Sequence, residues 1–160
     1  MLEAAVGRGE ICKLILLSWY SGVRVNEIFN CKLEIKDSIS ILSLAEDGGK
    51  TEAAKRFVPI HPALSQVLQE NDMMPERGQQ FDWSIGTSNA LEKRFLRIKE
   101  KFLISVDLEH RNKELVHHSF KNAFKTSLLN QGLRELQVSV LTGQSKKTIG
   151  QTEAVKTYYR

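Results

Sequence analysis

Only two cysteines occur in the 160 residues, Cys12 and Cys31, and neither lies in a CxxC or Cys/His ligand spacing. That excludes a disulfide-stapled scaffold and a zinc ribbon, and fits a reducing, intracellular setting. Long hydrophobic runs are missing too. The longest, Leu14 to Leu17 with Trp19 and Tyr20 beside it, falls far short of the ~20 residues that a membrane span requires. No signal-peptide cleavage pattern accompanies it, so a soluble cytosolic protein with no membrane partner is expected. There is no internal repeat, no low-complexity segment, no glycine loop for nucleotide phosphates and no carboxylate cluster for a metal. No cofactor is implied. At this length the chain fits one domain, large enough to bury roughly 70% of the surface its unfolded form exposes.

What the chain does carry is a modest positive excess, 23 Lys+Arg against 19 Asp+Glu for a net charge of +4. A polyanion partner is compatible with that balance. By itself the balance identifies none.

The periodicity predicts a mainly α, α+β domain: a helical bundle with a small three-stranded antiparallel sheet. Glu10 to Tyr20 is nearly all apolar and stops at Ser21-Gly22, which reads as a buried helix. A short helix follows over Val25 to Asn30. Lys32 to Lys36, Ile39 to Leu44 and Arg56 to Ile60 read as strands, turning at Asp37-Ser38 and Gly48-Gly49. Pro62 opens a helix through Leu64, Val67 and Leu68, and a loop runs from Asn71 to Gly86. Asn89 to Leu103 sets Leu91, Phe95, Ile98 and Phe102 on one helical face, leaving Lys93, Arg94, Arg97 and Lys101 either as a solvated basic surface or as a DNA contact. Asp107 to Glu114 is a charged connector. Ser119 is expected to cap a helix that buries Phe120, Ala123, Phe124 and Leu128 and ends at Gly132. A further helix spans Arg134 to Leu141, and the polar tail from Gly143 to Gln151 leaves room for a short final helix from Thr152.

Several segments carry chemistry-bearing residues. Arg24 follows Gly22-Val23 between two helices, where a planar fork can meet two phosphate oxygens. In isolation the same arginine reads as a local ion pair with Glu27. His118 and Lys121 stand three apart at the start of a helix, on one side of its first turn, and a helix N-terminus favours phosphate. Lys50 follows the Gly48-Gly49 turn. Tyr158 and Tyr159 close the chain before Arg160.

Leu-Leu-Ser-Trp-Tyr-Ser-Gly-Val-Arg-Val-Asn-Glu-Ile (Leu16 to Ile28) resembles box I of the tyrosine recombinases, the phage integrases and their relatives. His118-Ser-Phe-Lys121 resembles box II, usually His-x-x-Arg, and Leu141-Thr-Gly-Gln144 resembles the Leu-Leu-Gly-His turn. Lys50 to Ile60 resembles the hairpin lysine and its basic-Val-Pro strand, and Thr157 to Arg160 the nucleophile's ending. The set covers about Glu10 to Arg160. The resemblance implies that residues 1–160 form a recombinase catalytic domain, without the helical core-binding domain that precedes it in the family.

It also implies roles. Arg24 grips the scissile phosphate while Glu27 supports the local fold. Lys50, or Lys55 in the same loop, protonates the departing 5′ oxygen. His118, Lys121 and Gln144 surround the phosphate, and Tyr158 attacks it, with Tyr159 the open alternative. The implied activity is cleavage and rejoining of double-stranded DNA in the recombination or integration of a phage or mobile element, by a homo-oligomer that forms a tetrameric synapse. Binding would place the protein on the bacterial nucleoid. Two residues depart from the pattern. Lys121 keeps the charge of the box II arginine and loses its fork, and a clamp group of that kind contributes about 2.7–4 kcal/mol. Gln144 donates a hydrogen bond but does not exchange protons near neutrality. A DNA-binding or regulatory relic of an integrase is the competing expectation.

Overall fold

The computed structural model describes residues 9–44, 56–84 and 86–143. Within them α1 (Gly9–Ser21), α2 (Val25–Asn30), β1 (Lys32–Lys36), β2 (Ile39–Leu44), β3 (Arg56–Pro59), α3 (Pro62–Glu70), α4 (Ser88–Ser105), α5 (His118–Asn130) and α6 (Glu135–Thr142) follow in order, with a single 3-10 turn at Glu109–Arg111. The expected mainly α domain with a small antiparallel sheet is what forms.

The hydrophobicity of α1 on nearly every side explains its place. A helix without a polar face is stable only when surrounded, and Ile11, Leu14, Ile15, Leu16 and Leu17 are all buried. α2, α3, α4 and α5 all pack on it. Its two inward serines satisfy their hydroxyls within the helix, Ser18 on the Leu14 carbonyl and Ser21 on that of Leu17. The sheet order is β1-β2-β3, both pairs antiparallel. Leu33, Leu42, Leu44 and Val58 join the core from it. The β1–β2 turn uses Asp37 and Ser38 at φ 49° and 63°, the doubly left-handed geometry that matches strand twist in a two-residue hairpin. Beyond α3, Gln80 bridges to Lys32 at the sheet edge and Phe81 is buried, so the segment expected as a loop also extends the core.

Two details of α5 depart from expectation. Ser119 lies inside the helix rather than capping it. Its Oγ accepts from the Val116 N–H and donates to the Glu114 carbonyl, tying down the preceding turn instead. The face is also rotated: Ala123 is exposed, Phe120, Phe124 and Leu128 are half-buried, and Lys121 is the buried residue of this helix. α5 is wedged between α1 and α6, so one flank meets α1 through its phenylalanines while residue 121 meets α6. Its C-terminus follows the pattern expected of Gly132. That residue has φ 86°, and the N–H groups of Gly132 and Leu133 bond the carbonyls of Leu129 and Leu128, a Schellman closure.

Among the described residues no helix is long and apolar enough to cross a membrane.

Candidate functional site

The turn after α1 places Arg24. Gly22 takes φ 62° and its backbone lies against the Phe124 ring, where a Cβ would come within 2.5 Å of the ring carbon. Only glycine allows both the left-handed turn and that approach. Arg24 then stands at the N-cap of α2. Its main-chain N–H donates to Glu27 Oε2 at 3.0 Å and its guanidinium to Oε1 at 2.9 Å. The local ion pair and the presented guanidinium thus coexist, since the Arg24 side chain remains 47% exposed while that of Glu27 is only 8% exposed.

Glu27 is held from behind by Arg56. The buried guanidinium of this β3 residue spans both carboxylate oxygens at 3.1 Å, and its Nε donates to the Leu141 carbonyl at 2.9 Å. Burial pushes the Glu27 carboxyl up, but the bonds and charges of Arg56 and Arg24 outweigh it and hold the carboxyl below the usual glutamate range.

The start of α5 supplies the other wall. His118 and Lys121 line one cavity with Val23, Arg24, Asn26 and Glu92, about 200 Å³ in volume. Lys121 Nζ donates to the Thr142 carbonyl at 2.5 Å, at the end of α6, where unpaired carbonyls favour a cation. Burial, and then the Arg24 charge, push the Lys121 ammonium down to about 8; Arg56 and Lys125 add to the fall and Glu27 opposes it. The His118 imidazole is lowered by burial and then by Lys121 and Arg24. Arg24 and Lys121 both put positive charge on this cavity, with Glu92 the one carboxylate among the described residues of its lining, and the chemistry of the pair favours an anion with several oxygens.

Beside it His117 does different work. It is buried, packed edge-on against Phe95 and Phe120, and its Nε2 lies 2.7 Å from Ser18 Oγ. Because that hydroxyl donates to the Leu14 carbonyl, the imidazole is the donor and Nε2 carries the proton. Burial lowers its pKa to about 4, so it is neutral where it lines the cavity beside His118.

Of the residues singled out in the sequence, Arg24, His118 and Lys121 come together. Lys50, Lys55, Gln144, Tyr158 and Tyr159 lie outside the described residues. Sequence reasoning does not reach Arg56 or Glu92 as parts of the site, and it sets His117 aside in favour of His118. Alternation in β3 held the signal for Arg56, which shares the inward face of the strand with buried Val58. Arg94, expected on the basic face of α4, is partly drawn away by an ion pair to Glu10 at 3.1 Å. Among the described residues no group of three His, Cys, Asp or Glu is placed to hold a metal. Cys31 is buried, with its thiol pushed up to about 12, chiefly by desolvation, which makes it unreactive.

No protein-family model matches the chain, and no curated protein matches it. Among solved structures it is similar to the crystal structure of XerA recombinase, with a TM-score of 0.64 and 17% identity over 99% of this chain. The chain spans 59% of the length of that structure. The likeness establishes the architecture: the chain has an integrase-like α+β fold, similar to that of a tyrosine recombinase.

Proposed function

We propose that residues 1–160 are the catalytic domain of a tyrosine site-specific recombinase, an integrase of a phage or mobile element, which cleaves and rejoins double-stranded DNA. The observation that carries this reading is the shared cavity of Arg24, His118 and Lys121, on a fold similar to that of a recombinase. In this mechanism the cavity takes one scissile phosphate. Arg24 contributes two directed donors and Lys121 a point charge, so charge developing on the non-bridging oxygens meets preorganised cations. The Tyr158 oxygen bonds to phosphorus, and its proton passes to a phosphate oxygen or water. The bond from phosphorus to the 5′ oxygen breaks, and Lys50 protonates that oxygen as it leaves. A 3′-phosphotyrosyl link and a free 5′ hydroxyl result, and a second 5′ hydroxyl reverses the step on a partner strand. Gln144 donates a hydrogen bond to the phosphate. The phosphodiester energy is kept in the covalent link, and copies of the chain assemble on DNA to exchange strands.

One observation favours a second reading, a DNA-binding relic without cleavage. Lys121 stands where the family has arginine, and its ammonium is engaged by Thr142. A nicked duplex that loses its short 5′ fragment after cleavage separates the two. The recombinase reading predicts protein covalently trapped on DNA, and no trapping by Tyr158→Phe or Arg24→Ala. Retarded duplex with no covalent species in the parent chain supports the relic. Lys121→Arg combined with Gln144→His is expected to raise the trapping rate.

A further inference from the structure

Arg56 is a buried charged group held close behind the cavity without lining it. Its side chain is 6% exposed. Its guanidinium bonds reach the parts that hold the cavity. Two end on Glu27, which fixes the Arg24 main chain and guanidinium, and one on Leu141, next to the Thr142 carbonyl that receives Lys121. The guanidinium therefore joins β3 to α2 and to the end of α6 in one rigid fork. A lysine offers no such fork.

We infer that Arg56 is the positioning residue of this site, holding Glu27 and the end of α6 together so that Arg24 and Lys121 face the same anion. The inference rests on the recombinase reading only in naming that anion as a DNA phosphate. Arg56 touches no substrate. It acts through Glu27 on one wall and through α6 on the other. The sequence that opens β3 supports the role, because an arginine on a strand's inward face is desolvated and is kept there only by full pairing. Its charge adds to the field on Lys121, so it also shapes the potential of the cavity.

The test compares the full chain with Arg56→Lys, which keeps charge and loses the fork. Two quantities are read: the single-turnover rate of covalent trapping on nicked duplex, and the affinity for intact duplex. Displacement of positioned groups by about an ångström typically costs 10²-fold in rate. The expected result is a loss of about that size, with duplex affinity nearly unchanged because other phosphate contacts hold the DNA. Parental trapping by folded Arg56→Lys overturns the inference. A role confined to stability would shift melting without separating rate from affinity.

If the parent chain traps no DNA, the recombinase reading fails, and inorganic phosphate titrated against the His118 imidazole signals decides the positioning role. Weaker binding in Arg56→Lys supports it; equal binding, or no response in either chain, overturns it. If Arg56→Lys does not fold, Arg56→Gln with Glu27→Gln replaces the buried ions by neutral amides and enters the same measurements with the same outcomes.

Discussion

A lysine at position 121 carries a charge that titrates, where an arginine would hold a permanent one. With its pKa pushed down to about 8, Lys121 is mostly cationic at neutral pH and loses its proton within the range of ordinary buffers. Phosphate and DNA binding should therefore weaken from about pH 7 to about pH 9, and Lys121→Arg should remove that limb. Binding isotherms across the range check this. Stability runs the other way for the same group: a folded pKa below the unfolded one means the unfolded chain holds the proton longer, so the fold gains stability as pH rises from about 8 to about 10.5. His117 gives a second, separate pH effect. Its folded pKa near 4 lies below the ordinary 6.5, so the unfolded chain takes up a proton first on acidification. Stability is lost as pH falls through that window, by roughly 3 kcal/mol. Urea titrations at several pH values should find the loss in the parent and a smaller one in His117→Asn.

At the scale of elements, the site depends on one close approach. Gly22→Ala adds a methyl at φ 62° within 2.5 Å of Phe124. The left-handed conformation costs about 1–2 kcal/mol for a residue with a Cβ, and overpacking about 1–3 kcal/mol more. Denaturant unfolding should find a loss of about 2–5 kcal/mol, and because α1 and α5 then separate, weaker phosphate binding as well. The elements themselves were legible. α2, β1 and β2 begin and end where apolar periodicity and turn residues place them, and the stop at Gly132 follows from its left-handed freedom. The face of α5 was not legible, because its half-buried phenylalanines advertise a core while the partner that buries Lys121 is the end of α6, an interaction across 21 positions. For the same reason Arg24 and the His118 turn could be named from sequence, whereas Arg56 needed its long-range partners Glu27 and Leu141 to be seen.

At the scale of the molecule, a modest positive excess becomes useful only if it is gathered. Lys93, Arg97 and Lys101 lie exposed at four-residue spacing along α4, a helix that also lends Glu92 to the cavity. If duplex lies along it, each phosphate that a cation neutralises releases condensed counterions. Arg97→Glu with Lys101→Glu should then weaken duplex binding and flatten the slope of log affinity against log salt by about 0.9 for each phosphate left without its cation. Affinities from low to physiological salt measure that slope. The assignment of function stands on the turn after α1 and the start of α5 bringing distant cations to one phosphate, and inorganic phosphate titrated into the isotopically labelled chain tests this most directly. His118 imidazole and Lys121 side-chain signals should move together on one binding curve, and Arg24→Ala should abolish both responses. Signals that stay still, or that move on separate curves, contradict it.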